Sequence, residues 1–336
     1  MKKITIKDIA MEAKVSISTV SFVLNDKGEK MNISKAVIKK VQDVAEKLHY
    51  RPNMIASSLR TGKTRSIGLI VEDISNQFFS DLARVIEDEA KKLGYRVFYC
   101  STGDDDDRSD ELIQSLLQAN VDGFIITPTE KLEKSIDHLM KLKKPVVLID
   151  RYFPGQNVSH VVMDNYEGAY SATQFLIKNG RRTIALVNNT SGMIQMQLRE
   201  KGYVDAMKEA GLYNESHILH LDYHSNEDTK IEAIVHFFEK NPGIDAVLFS
   251  ANYMGLAGLQ AFRKMGLKIP EDLSIISFDD HYSFRLHTPP ISVIEQPIDA
   301  IAVKAVEMLM DQMMDDRDFV IEKVLQKGRL VIRESV

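Results

Sequence analysis

Cysteine is almost missing from this chain of 336 residues: Cys100 stands alone. That excludes an internal disulfide framework and fits a reducing compartment. Cys100 ends the apolar run YRVFYC, which marks it as a buried structural thiol rather than a nucleophile. No run approaches the roughly 20 apolar residues that a bilayer-spanning helix needs. In the opening MKKITIKDIAMEAK, charged residues interrupt the chain before a signal-peptide core could form. A cytoplasmic protein with no membrane partner is expected. No nucleophile–base pair and no cofactor fingerprint is visible, so neither an enzyme nor a cofactor is expected. The stretch TGKT resembles the end of a phosphate-binding loop, but Ser57 occupies the place of its leading glycine.

What is present is ordinary in amount and uneven in placement. Hydrophobic residues make up 44% and charged residues 27%, as in a soluble globular protein, and the length suits two or three domains. Net charge is −5, yet residues 1–65 carry 14 Lys/Arg against 6 Asp/Glu, a charge of +8 that leaves −13 on the remainder. A basic head on an acidic body suggests that the head alone meets a polyanion.

The head, residues 1–51, reads as three short helices. Thr5 and Asp8 form a capping box before IKDIAMEA, with Ile6, Ile9, Ala10 and Ala13 on one face. Ser16 caps ISTVSFVLN, where Val15 and Val20 are placed as a hydrophobic staple. Ser34 caps KAVIKKVQDVAEKLHY, whose Val37, Val41, Val44, Ala45 and Leu48 make an apolar stripe. Only Lys14, Val15 and Ser16 separate the first two helices, which is a helix-turn-helix arrangement. Residues 52–65 follow as a linker: Pro52 breaks the chain and Asn53 can cap MIASSLR. Seven residues are too few for a helix stable alone in water, so that segment should be helical only when packed against something.

From Ile67 the pattern alternates. The apolar runs IGLIV, YRVFYC, GFIIT, PVVLID, TIALVN, HILHL, AVLFS and LSIISF are separated by amphipathic segments such as FFSDLARVIEDEAKKLG. This predicts parallel, doubly wound sheets with helices on both faces, in too many units for one sheet. The fold class is α/β: an all-α head and two parallel-sheet lobes. Ligands bind such sheets beyond the carboxyl ends of the strands, so residues just after each apolar run are the candidates.

For DNA, the second helix presents Ile17, Ser18 and Thr19 at its start and Ser21, Phe22 and Asn25 further on. Ser and Thr can bond several bases, and Ile17 and Phe22 can touch a thymine methyl group. Lys7, Lys35, Lys39 and Arg51 suit phosphate contacts. Two other clusters are weaker. Asp104 to Asp107 read as a solvated loop before a helix N-terminus, and the zinc-like spacing of His217, His220 and His224 would be split between the faces of a strand.

TIKDIAMEAKVSISTVSFVLN followed by AEKLHYRPNMIASSLRTGKTRSIGLIV resembles the lactose/galactose repressor family of bacterial transcription regulators. The similarity continues through DISNQFF, VDGFIIT, LREKGY, IPEDLSIISFDD and LVIRES, covering the chain in the expected order. The resemblance implies a homodimeric repressor on a near-palindromic double-stranded DNA operator, with a body like periplasmic sugar-binding proteins of type I. It implies that one lobe is built from residues 66–164 and 294–324 and the other from 165–293 and 325–336. It also implies that Leu59 is wedged into the minor groove from a hinge helix. Thr5, Asn53, Ala56 and Arg60 join the DNA-contacting set on the same ground. A small-molecule effector, a sugar or derivative, would lie between the lobes. Its implied ligands are Asp73, Asn76, Phe79, Arg199, Tyr223, Asn252, Asp279 and Gln296, whose polar groups can bond hydroxyls while an aromatic face packs on a ring.

Two departures stand out. The family usually shows Asn-Asp where this chain has Asn252-Tyr253, so one hydroxyl-binding carboxylate is replaced. The segment DKGEKMNIS is also longer than the common form. The family's leucine-rich tetramerising tail is not seen before Val336, which favours a dimer. A transport receptor and an enzyme on the same scaffold are the rivals. The basic head argues against the first, and the lack of a catalytic constellation against the second.

Overall fold

Polar caps set where the helices of the head begin. The computed structural model describes residues 4–50, 62–314 and 320–336, and divides the chain into two compact units, one ending at Thr64 and the other running from Arg65. In the first unit, α1 (Ile6–Ala13), α2 (Ile17–Leu24) and α3 (Lys35–Lys47) surround a small core in which Ile9, Ala13, Val20 and Val41 are fully enclosed. The Thr5 N–H and hydroxyl both donate to the Asp8 carboxylate at 2.7 Å, and the Thr19 N–H donates to Ser16 Oγ at 3.0 Å. Lys14 turns the chain between α1 and α2 with φ of 52°.

The third helix is shorter than its apolar stripe suggests. It stops at Lys47, and His49 follows with φ of 50°, outside helical space. The long segment after α2 folds on itself: the Lys27 N–H reaches the Phe22 carbonyl at 2.9 Å, and the Ile33 N–H reaches that of Gly28 at 2.9 Å.

The second unit holds two six-stranded sheets. In the first, β1 (Ser66–Val71), β2 (Arg96–Ser101), β3 (Gly123–Ile126), β4 (Val146–Ile149), β5 (Ser159–Met163) and β11 (Lys323–Gln326) lie in the order β11-β5-β4-β3-β1-β2, all parallel. The second contains β6 (Ile184–Asn189), β7 (Ile218–Leu221), β8 (Ala246–Phe249), β9 (Ser274–Phe278), β10 (Ser292–Glu295) and β12 (Arg329–Val331), ordered β12-β10-β9-β8-β6-β7. Here the purely parallel expectation is modified, since β12 joins β10 antiparallel. Strands β1, β3, β4, β5, β6, β8 and β9 are buried along their whole length, which is why all of them but β5 read as largely apolar runs. Edge strand β2 is not, and Cys100 within it is only half-buried.

Helices cover both sheets: α4 (Gln77–Lys92), α5 (Asp106–Gln118), α6 (Glu133–Lys141) and α12 (Ile298–Met314) on the first, and α7 (Asn165–Lys178), α8 (Ile194–Glu209), α9 (Glu227–Lys240), α10 (Asn252–Met265) and α11 (Tyr282–Leu286) on the second. The chain passes between the sheets three times: after β5, between β10 and α12, and between β11 and β12. Helices α7 and α8 pack closely because Gly202 sits under the Tyr166 carbonyl, where a Cβ would overlap the oxygen.

Candidate functional site

In the head, α2 offers one uncommitted face. Ile17 is 49% exposed, and Ser18 and Asn25 are exposed, while Thr19, Ser21 and Phe22 are half-buried. Val20 and Val23 point into the core. Two polar groups are partly spent on the helix itself: the Thr19 hydroxyl pairs with Ser16 Oγ at 2.8 Å, and Asn25 Nδ2 donates to the Ser21 carbonyl at 2.6 Å. Thr5 gives both of its donors to the cap of α1. The remaining DNA candidates, Asn53, Ala56, Leu59 and Arg60, lie outside the described residues, as does Arg51.

In the body, the carboxyl ends of the two sheets face each other across a cleft, and polar side chains bridge it. Asn76 caps α4, its Oδ1 accepting from the Phe78 N–H at 3.1 Å, and the same oxygen accepts from Asn252 Nδ2 of the opposite lobe at 2.9 Å. Tyr223 donates its hydroxyl to Glu72 Oε1 at 2.7 Å, joining the loop after β7 to the end of β1. Asp279 accepts from Gln296 Nε2 at 2.7 Å and from the Asn252 N–H. Arg199 is 2% exposed, donates to Asn165 Oδ1 at 2.8 Å and to the Ser250 carbonyl, and lies 4.0 Å from the centre of the Phe278 ring. Asn76, Arg199, Tyr223, Asn252, Asp279 and Gln296 thus all lie on the cleft or in its floor.

Two candidates are placed differently. Asp73 turns its carboxylate onto the N–H and hydroxyl of Ser75, at 2.8 Å each, and the preceding Glu72 is the acid that enters the cleft. Phe79 is 3% exposed and belongs to the core beneath α4; its edge-on neighbour Phe78, with centroids 4.9 Å apart, lines the cavity instead. That cavity, of about 390 Å³, lies at the lobe junction against Asn252, Asp279 and Gln296.

The charged centre of the cleft is absent from the candidate set. Arg151 is buried and paired with Glu72, with Asp104 at 3.1 Å and with Asp150 at 3.1 Å, and it also touches Met193 of the other lobe. Burial alone would lower the Arg151 pKa, but the three carboxylates outweigh it and hold the guanidinium charged. Burial pushes the Asp104 carboxyl up to about 6, with Arg151 opposing and Glu72 adding to the rise. Asp150 and Asp279 are also raised by burial, Asp150 against the pull of both arginines and Asp279 against that of Arg199. Asp104 is therefore not part of a solvated loop; its neighbour Asp105 caps α5, accepting from the Arg108 N–H at 2.9 Å. Tyr253 meets Tyr223 edge to face at 5.8 Å and accepts from Asn189 Nδ2 at 3.3 Å, making an aromatic corner.

Asp150 and Asp279 occupy equivalent places, one residue beyond β4 and β9, with φ of 65° and 67°. Left-handed backbone at a non-glycine residue costs on the order of 1–3 kcal/mol and persists where surrounding structure enforces it. In both lobes it turns a carboxylate toward the cleft rather than along the sheet.

Comparison with known proteins agrees with both halves. Residues 5–53 match the family model described as bacterial regulatory proteins, lacI family, and residues 64–332 match that of periplasmic binding proteins and the sugar binding domain of the LacI family. The chain is 33% identical to a ribose operon repressor of Halalkalibacterium halodurans, over 98% of this chain and 96% of that protein. It is 32% identical to catabolite control protein A of Priestia megaterium, over 99% of each. A solved lac repressor dimer, bound to operator and the anti-inducer ONPF, superposes with a TM-score of 0.87 over 99% of both chains; at 21% identity it speaks for the fold alone. With an α-helical head and two α/β lobes that match both family models in order, the chain belongs to the LacI family of bacterial regulatory proteins and is a transcription regulator.

Proposed function

We propose that the protein is a homodimeric repressor that binds a near-palindromic operator through α2 and is controlled by a sugar or sugar derivative held between the lobes. The observation that carries this reading is the cleft, where contacts from strand ends of both sheets, Glu72 to Tyr223 and Asn76 to Asn252, join the lobes around buried polar groups. A ligand seated there would replace those contacts with its own and change the angle between the lobes. A differential of ~1–3 kcal/mol between two lobe arrangements is enough to switch DNA affinity five- to 150-fold.

On DNA, Ile17 and Ser18 have the exposure for base-edge contact, Phe22 is placed one turn beyond Ser18, and the basic side chains of the head would engage phosphate. The reading places the protein in the cytoplasm and assigns it no catalytic role. Among the described residues no helix is long and apolar enough to cross a membrane.

The test is operator selection with the purified full chain on random duplex DNA, followed by titration of a sugar panel into the complex. Enrichment of a near-palindrome, and its release or tightening by one sugar, is the expected result. No enrichment with or without any sugar would defeat the reading.

A further inference from the structure

We infer that the effector is a polyhydroxylated molecule carrying a protonated amine, an amino sugar or close relative, with its ammonium seated by Glu72, Asp104 and Asp150. This deepens the reading of the cleft as the effector site and rests on it. The first ground is charge. Four cleft carboxylates (Glu72, Asp104, Asp150 and Asp279) face two guanidiniums, Arg151 and Arg199, and the Lys230 ammonium, which is held by the Tyr223 carbonyl against the Tyr253 ring; one formal negative charge is in excess. These are not solvated acids: the side chains of Glu72, Asp104 and Asp150 are 12%, 7% and 8% exposed. Uncompensated buried charge is costly unless a partner arrives.

The second ground is the state of the cations. Arg151 already serves three carboxylates, and Arg199 is spent on Asn165, the Ser250 carbonyl and the Phe278 ring. Neither is free to take a phosphate or carboxylate from a ligand. The third is a set of unanswered polar atoms. Gln195 is 2% exposed and its Nε2 lies 3.7 Å from the sulfur of Met193, which itself touches Arg151; its Oε1 has no partner. Thr127, one residue beyond β3 and 1% exposed, has an unpartnered hydroxyl oxygen. Each of these atoms can accept a hydrogen bond, and an ammonium supplies three donors and no acceptor. The aromatic corner of Tyr223 and Tyr253 provides the flat surface that a sugar ring needs.

The experiment is calorimetric titration of the full chain with matched probes at pH 7.5: D-glucosamine against D-glucose and N-acetyl-D-glucosamine, D-galactosamine against D-galactose and N-acetyl-D-galactosamine, and D-glucose 6-phosphate. The expected result is that one amine binds at least tenfold tighter than both its neutral parent and its acetylated form, with no binding of the phosphate. Glu72→Gln and Asp104→Asn should each cut that preference. Acetylation removes the charge on the unaltered protein, so the test stands even where a variant does not fold. A neutral parent that binds as tightly as its amine, or binding of the phosphate, would overturn this inference and leave the carbohydrate reading intact. Failure of all probes would overturn this inference, while the repressor reading answers to operator selection.

Discussion

Replacing Asp104 with asparagine isolates the energetic cost of crowding acids around one arginine. The carboxyl is raised from 3.8 to about 6, chiefly by burial, so the folded protein holds this proton more tightly than the unfolded chain. Stability from that proton is complete below about pH 4 and is lost as pH rises through 6. A shift of roughly two units at about 1.4 kcal/mol each makes the loss about 3 kcal/mol. Asparagine keeps the shape and cannot ionise, so the variant escapes the loss. Urea unfolding of wild type and Asp104→Asn in parallel, from pH 4 to pH 8 without ligand, should show their stability difference moving in the variant's favour by about 3 kcal/mol. Most of that change should fall between pH 4 and 6.5. A difference that stays flat across this window, or moves toward the wild type, would refute a buried, over-supplied acid cluster.

Other perturbations follow from single contacts. Gly202→Ala should lower the melting temperature, since a Cβ meets the Tyr166 carbonyl and overpacking costs typically 1–3 kcal/mol; an unchanged melt would mean that α7 and α8 are not held together so closely. Tyr223→Phe removes the hydroxyl bonded to Glu72 while keeping the ring, and should widen the lobe angle seen by small-angle scattering, with a cost near 1.5–3 kcal/mol for a bond to a charged group. Ser16→Ala should weaken the head by about 1 kcal/mol through loss of the cap on α2, read as faster hydrogen exchange at the Thr19 amide. Ile17→Ala should lower operator affinity and leave the exchange pattern of the α2 core unchanged, because its side chain is 49% exposed.

Much of this fold is visible in the sequence because its signals are local. Caps such as Ser16 and the apolar runs of fully buried strands need no knowledge of distant residues. Strand β5 is harder to see: Ser159 and His160 break its apolar run, yet both are buried. Ser159 Oγ takes the distant Glu322 N–H at 3.2 Å, and the His160 ring bonds the nearby Val158 carbonyl at 3.2 Å, so satisfied hydrogen bonds make these polar residues admissible inside. The antiparallel β12 is equally a matter of pairing, not pattern.

The site divides in the same way. Position beyond a strand end points to Asn252 and Asp279, and it would have pointed to Glu72 and to the Asp150-Arg151 pair. Choosing Glu72 over Asp73 depends on Ser75 satisfying the latter, and promoting Asp104 from a surface acid depends on Arg151, far away in sequence. Phe78 and Phe79 are adjacent aromatics, and only the packing of α4 decides which one faces the cavity.

The three passages between the sheets bear on how the protein is made. The outer strand of the first sheet, β11, is drawn from residues 323–326, and α12, which packs on β3, β4 and β5, from residues 298–314. A ribosome therefore releases most of the second lobe before the first has its last strand. Ser335 then locks the second: it accepts from the Ser292 N–H at 2.8 Å and donates to the Ile275 carbonyl at 2.7 Å. Neither lobe is complete until residues 323–335 have been made, so a growing chain has its helical head long before it has a finished cleft between the lobes.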